Sequence, residues 1–358
     1  MSNYVEYKDR IAFHPGYYIE EIVEDSGLTQ QDFAKRLDTT PKNLSKLING
    51  QQRLSPDMAS KLSRMLGTSL EYWINLQNAY DAVLIEIDSA KLMEDEQFIL
   101  RQIGYSYFRD NFGLPDLPQQ LEAQVDAVRS FLGVASLTVL TKPDLSVSFR
   151  SSQDSSDSRA VAKANSMVQI AINSARKVDA PKFNKTKFES AVDYALTQTT
   201  NHGGFFPLVR EAFRGAGVIL VVLPNLAGSK TNGATKKLGS NIMLMVNDRR
   251  LYADSFWFTL LHEAGHILND DLGISLDNDT GIKEERADSF ASNSLIDSDL
   301  YAAFVEHGDF GISSIQAFAA DINRDPGIVL GRLQNDGLIR YDDSDLASLR
   351  RRYKVVAV

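Results

Sequence analysis

The chain has 358 residues, enough for two or three domains that each bury a core, and its 43% hydrophobic and 24% charged residues are typical of a globular protein. No apolar run nears the roughly 18 residues of a membrane span, and the start MSNYVEYKDR lacks the pattern of a secretory leader, so a cytoplasmic protein with no membrane partner is expected. The lack of cysteine excludes disulfides, thiolate metal sites and cysteine nucleophiles, and a net charge of -9 excludes a chain that coats nucleic acid along its whole length.

A local basic patch is still present. Between Lys35 and Arg64 lie seven basic side chains and only two acidic ones, Asp38 and Asp57. From Ile19 to Trp73 the pattern is one of short amphipathic helices. In GLTQQDFAKRL, Thr29 is placed to cap a helix whose apolar face is Phe33, Ala34 and Leu37. In TTPKNLSKLING, Thr40 caps, Pro41 suits the first helical position, Leu44, Leu47 and Ile48 face inward, and Gly50 ends the helix. Two such helices across a short turn make a helix-turn-helix, and SPDMASKLSRMLG repeats the design with Ser55 as cap.

Residues 81 to 133 read as mainly helical, and SLTVLTKPDLSVSFR allows extended structure. Residues 151 to 158, SSQDSSDS, are a polar serine-rich loop, followed by the helical stretches AVAKANSMVQIAINSARKV and FESAVDYAL. A β-branched apolar run bounded by Gly and Pro, GAGVILVVLP, predicts a buried strand, and NIMLMVN a second. Helices are expected again around TLLHEAGHILNDD and over residues 284 to 296.

That histidine run carries the chemistry. On a helix, positions i and i+4 share a face, so His262 and His266 can reach one metal ion. Glu263 lies about 100° around the axis, unsuited to ligate the same ion but able to reach a water there and act as general base. A catalytic zinc site usually has three protein ligands, so a third is needed. The spacing for a third histidine fails, because the chain has Asn269 and Leu272 where that pattern requires glycine and histidine. Eighteen positions after His266, EERADSFASNSLI offers Glu284 as third ligand, with Asp288 on the same face to orient His262 through its free ring nitrogen. Glu285 competes with Glu284 but points away from the Asp288 face. His14, His202 and His307 read as capping or surface histidines, and His307, Tyr301 and Arg332 are candidates for a donor to transition-state charge, with no choice among them.

On these residues the C-terminal half resembles the ImmA/IrrE metallopeptidases, through AGVILVVLP, SFWFTLLHEAGHIL, EERADSFASNSLI and the tail PGIVLGRLQNDGLI. The resemblance implies a gluzincin-like site with zinc on His262, His266 and Glu284, Glu263 as base, and cleavage of DNA-bound repressors; two imidazoles and a carboxylate suit manganese as well. Residues 14 to 81 resemble HigA-type antitoxins of the XRE helix-turn-helix class. By motif position Gln30 touches backbone or base, Thr40, Lys42, Asn43 and Lys46 face the major groove, and Lys35 and Arg53 are placed for phosphates.

The expected architecture is mainly α with a small β-sheet (α+β): a helix-turn-helix bundle over 1–80, a helical connector over 81–200 and a gluzincin-like metallopeptidase domain over 201–358. The expected function is a DNA-binding, antitoxin-like regulator, a homodimer on operator double-stranded DNA. Its zinc endopeptidase domain cuts a repressor, a toxin-system partner or the chain itself, with the serine-rich loop as the candidate self-cleavage segment. The alternatives are an antitoxin or repressor whose metallopeptidase-like domain binds a partner without turnover, and a protease that the N-terminal module only localises.

Overall fold

The computed structural model describes residues 3–142, 158–276 and 281–355. All but the last residue of the serine-rich loop thus lies outside the described residues. The chain divides into two compact units, Met1–Asp95 and Glu96–Val358.

The first unit opens with an antiparallel pair, β1 (Tyr4–Tyr7) and β2 (Arg10–Phe13). Then come α1 (Pro15–Asp25), α2 (Gln30–Arg36), α3 (Pro41–Ile48), α4 (Pro56–Leu66) and α5 (Leu70–Ile103). Each helix start is set by a side chain that satisfies an otherwise unpaired backbone N–H. Thr29, Thr40 and Ser55 accept from the N–H groups of Asp32, Asn43 and Met58. His14 does the same for α1, its Nδ1 accepting from Gly16 N–H at 2.9 Å, which makes it a buried capping histidine. The apolar faces of α2 and α3 meet in a core of Phe33, Ala34, Leu37, Leu44, Leu47 and Ile48, closed by Leu62 and Trp73.

The second unit contains α6 (Tyr105–Phe112), α7 (Leu121–Leu132), α8 (Ser158–Ala175), α9 (Lys185–Leu196) and α10 (Phe205–Gly215). A four-stranded sheet follows, of β3 (Val218–Leu223), β4 (Thr231–Leu238), β5 (Asn241–Asn247) and β6 (Ile274–Leu276), with α11 (Ala253–Leu268) between the last two strands. The chain continues through α12 (Ile282–Leu295), α13 (Ser298–His307), α14 (Ile312–Asp321) and α15 (Pro326–Asn335). The strand order is β3-β5-β4-β6, with β3 parallel to β5 and the other pairs antiparallel. Strand β5 is apolar on both faces because both are covered. Ile242, Leu244 and Val246 join a core with α9, α10 and α11, while alternation turns the equally buried Met243 and Met245 to the opposite face. Helix α8 packs against β3, β5 and β4.

These contacts change the expected domain plan. Helices α8 and α9, expected within a separate connector over 81–200, are layers of the same unit as the sheet, and α5 continues through position 80 without a break. Residues 137–141, within the segment expected to allow extended structure, form one 3-10 turn, and residues 143–150 lie outside the described residues.

Gly16 shows how tightly α1 meets the end of α3. A Cβ there would stand 2.1 Å from the Leu47 carbonyl oxygen and 2.7 Å from that of Ile48. Gly16→Ala is expected to destabilise the first unit by about 1–3 kcal/mol or more, since backbone must shift to admit the methyl. Thermal unfolding of the full chain checks this, and an unchanged melting profile would contradict the packing.

Candidate metal centre and nucleic-acid interface

Helix α11 is buried from Leu260 through Ile267, so His262, Glu263 and His266 are carried into the core. Helix α12 approaches it closely because the facing residues are small. Ala264, Ala287 and Ala291 are fully buried, and a Cβ on Gly265 would lie 3.0 Å from the Phe290 ring. This approach brings Glu284, in the first turn of α12 and 6% exposed, to the two imidazoles. A carboxylate at a helix N-terminus is also favoured by the helix dipole.

The donor atoms converge. His262 Nε2 lies 3.0 Å from His266 Nε2 and 3.1 Å from Glu284 Oε2, and His266 Nε2 lies 3.4 Å from Glu284 Oε1. All three ligand atoms fall within 4.8 Å of one another. Two ligands of one tetrahedral zinc at about 2.0–2.1 Å stand roughly 3.3 Å apart, so the donor set fits a single ion. His262 Nδ1 is 2.8 Å from Asp288 Oδ1, the carboxylate–histidine arrangement that commonly stands behind a metal ligand. Among the described residues nothing accepts from His266 Nδ1, which is buried. Glu285 is exposed and apart from the cluster.

Glu263 is fully buried against β4, where a Cβ on Gly233 would lie 2.5 Å from its Oε1 and 2.6 Å from its Cγ. Only glycine at 233 leaves space for this carboxylate. Beside the cluster is a cavity of about 400 Å³, lined by His262, Glu284, Asp288, Arg332 and, from other segments, Asn232, Arg250, Tyr341 and Arg350. Of the three candidate donors only Arg332 lines it, with its Nε 2.9 Å from Asp336. Tyr301 donates to Asp336 at 2.9 Å, and His307 ends α13 on the surface. His202 is half-buried, its Nε2 3.0 Å from Asp325 and its Nδ1 2.9 Å from the Tyr353 hydroxyl.

In the first unit the structure spreads the predicted nucleic-acid residues over one basic region. Gln30 begins α2 and is exposed, and Lys42 and Lys46, one turn apart on α3, are exposed with no ion pair among the described residues. The two acidic side chains of the patch, Asp38 and Asp57, are both engaged by Lys61, at 3.2 and 3.3 Å. Thr40 serves as the N-cap of α3. Asn43 is half-buried, donating to Thr39 and accepting from Gln52 Nε2 at 2.9 Å, a link that sequence reading missed. Lys35 stands 3.6 Å from Asp32, and Arg53 is paired with Asp81.

Comparison with known proteins agrees with this two-part structure. The helix-turn-helix family profile matches residues 19–73, and that of the IrrE N-terminal-like domain matches residues 219–318. The chain therefore joins an XRE-type helix-turn-helix domain to an IrrE-like domain of a metallopeptidase family. It is 35% identical over 87 residues to the HTH-type transcriptional regulator YddM of Escherichia coli, a match covering 23% of this chain and 93% of that one. It is 36% identical over 61 residues to antitoxin HigA-1 of Vibrio cholerae, covering 17% and 57%. A solved HigA-family antidote protein from Coxiella burnetii shares 31% identity over 24% of this chain and 94% of that chain, with a TM-score of 0.22. Through its first unit the chain belongs to the HTH-type transcriptional regulators.

Burial works against a charged His262, but its hydrogen bonds to Asp288 and Glu284 outweigh that and push its pKa up from 6.5 to about 9. The metal-free protein thus holds a proton there that an ion must displace. Zinc affinity is expected to rise roughly tenfold per pH unit between about pH 6.5 and 9, with proton release detectable by calorimetry in buffers of different ionisation enthalpy. In the metal-free state the sign is opposite: this raised pKa contributes stability below pH 6.5 that is lost as pH rises through 9. Glu284→Gln is expected to weaken zinc binding at least tenfold. Unchanged metal content would refute the ligand assignment.

Proposed function

We propose that the chain binds operator double-stranded DNA through its first unit, as a homodimer, and hydrolyses a peptide bond at the His262–His266–Glu284 centre. The substrate is a repressor, a toxin-system partner or the chain itself. The observation that carries the catalytic part is the convergence of two imidazole nitrogens and one carboxylate within 4.8 Å, with Glu263 next to the first histidine.

A zinc or manganese ion held by these three side chains supplies Lewis acidity that polarises a carbonyl and makes water easier to deprotonate. Asp288, accepting from His262 Nδ1, fixes the tautomer that presents the Nε2 lone pair to the site. Glu263 takes the proton of the attacking water at its carboxylate and returns it to the departing amine nitrogen. Gly233 leaves that carboxylate room, and buried surroundings strengthen its interaction with charge. Arg332 is the donor we assign to the oxygen that gains charge, since it alone of the three candidates lines the cavity.

The DNA part is supported by the exposed lysines of α3 on a chain whose overall charge is negative. The named relatives, a transcriptional regulator and an antitoxin, favour an operator and a toxin-system partner.

Glu263→Gln is expected to retain zinc and operator binding and to lose cleavage by about 10²–10⁴-fold, read by mass spectrometry after incubation with proteins encoded beside this chain. Cleavage at the wild-type rate by this variant would end the peptidase reading. Lys46→Ala is expected to weaken operator binding in a mobility-shift assay, lowering the salt slope by about one if its contact is to phosphate. Unaltered binding removes α3 from the interface.

A further inference from the structure

A second and larger cavity, about 810 Å³, opens in the same unit. Strand β3 contributes Ile219 through Leu223, the phenylalanines of α10 and α11 add Phe205, Phe206 and Phe256, and the turn after β5 and the C-terminal stretch provide further walls. Its charge is lopsided. Among the described residues Arg210, Arg214, Arg352 and Lys354 line it, with Arg249 and Arg250 engaged in contacts of their own, against two carboxylates, Glu211 and Asp248, in a chain whose net charge is -9.

Both carboxylates are already engaged, and the Glu211–Arg214 pair adds no net charge to the cleft. Glu211 is held by Arg214 through two hydrogen bonds of 2.6 and 2.8 Å, and Asp248 accepts the backbone N–H groups of Asn225 and Val355 at 2.8 and 3.0 Å. Two of the cations are braced by aromatic rings. The Arg210 guanidinium lies 5.6 Å from the Phe206 centroid, and that of Arg352 lies 5.6 Å from the Tyr252 centroid.

This cleft adjoins the cavity beside the metal centre. Asn232, Arg250, Ser255 and Thr259 line both cavities. Ser255, Thr259 and His262 stand at i, i+4 and i+7 on α11, one face of the helix running from cleft to site. Seven residues of helix span about 10 Å, the reach of roughly three residues of extended peptide.

We infer that the cleft selects the peptidase substrate, binding an acidic polypeptide segment whose carboxylates lie about three residues or more from the bond to be cut. This rests on the peptidase reading given above. The aliphatic floor along β3 takes apolar side chains of that segment, and the cationic rim takes its carboxylates. The floor favours polypeptide over nucleic acid, whose phosphates need no aliphatic bed, and Phe205 and Phe256, each 8% exposed, offer little face for a base to stack on.

The test uses zinc-loaded full chain carrying Glu263→Gln, to prevent turnover, and Lys42→Ala with Lys46→Ala, to silence the other basic surface. Two fluorescein-labelled twelve-residue peptides of equal apolar content, one with four glutamates and one with four lysines, are titrated by anisotropy. The acidic peptide is expected to bind at least tenfold tighter, with the preference shrinking as salt rises from about 50 to 200 mM. Adding Arg210→Gln with Lys354→Gln, both on exposed positions, is expected to cost about tenfold for the acidic peptide while zinc content and melting temperature stay unchanged. Equal affinity for the two peptides overturns the inference, as does indifference to the double substitution. Displacement of the acidic peptide by an oligothymidylate at equal concentration assigns the cleft to nucleic acid and overturns it too. The chain with native Glu263 then separates this inference from the peptidase reading. Tight acidic binding without any cleavage defeats the peptidase reading alone, whereas cleavage indifferent to peptide charge defeats the cleft assignment alone.

Discussion

Burying four ionisable side chains at one crossing of two helices is the constraint around which the second unit is organised. Each charge taken from water into a protein interior costs several kcal/mol unless opposite charge, hydrogen bonds or a metal ion compensates it. His262, His266, Glu263 and Glu284 are all 9% exposed or less, beside an apolar core of Leu, Ile, Val, Ala, Phe and Trp. Burial by itself disfavours the charged form of His262 there. Glu284 and Asp288 reverse that tendency for His262. The same convergence that holds a proton in the metal-free protein supplies the lone pairs that a divalent cation needs, so proton and metal compete for one geometry.

That geometry requires short distances between backbones, and small residues supply them. Gly265, Ala287 and Ala291 let α12 lie close enough for a short carboxylate side chain to reach both imidazoles. Gly233 does for β4 and Glu263 what Gly265 does for the helix pair. The residues between the two histidines, Ala264 and Gly265, are therefore packing residues as much as spacers. A methyl at 233 would meet the Glu263 carboxylate directly, and so would act on the base while leaving the ligand atoms untouched.

Much of this was legible in the sequence where function and local periodicity coincide. The caps Thr29, Thr40 and Ser55, the i and i+4 histidines, and the pairing of Glu284 with Asp288 on one helix face each follow from backbone geometry over a few residues. The structure sets the three expected ligand residues within reach of one ion and puts Asp288 on His262. What local pattern could not reveal is what depends on distant segments. Strand β4, TNGATKKL, is too polar to read as a strand, because it is buried by its neighbours rather than by its own side chains. A two-residue Gly239–Ser240 turn with Gly239 at φ 62° was the available hairpin signal. The short hairpin of β1 and β2, and α10 with Pro207 in its first turn, also escaped. Arg250, Tyr341 and Arg350 line the cavity from three separate stretches, and nothing in their neighbourhoods marks them.

The two basic surfaces differ in how they are built, and the difference bears on what each can recognise. On α3 the cations are exposed lysines on flexible stems, suited to a polyanion whose condensed counterions are released on contact and whose register is fixed elsewhere in the motif. In the cleft, arginines predominate, two are braced by rings, and the floor is apolar. A planar guanidinium held in place loses less freedom on meeting a carboxylate and presents paired donors to it. A chain of net charge -9 repels anions on average, so attraction to an anion depends on local basic regions such as these two. The first asks for negative charge, which the phosphates of duplex DNA would supply. The second asks for carboxylates and apolar side chains together, a combination that a protein segment provides.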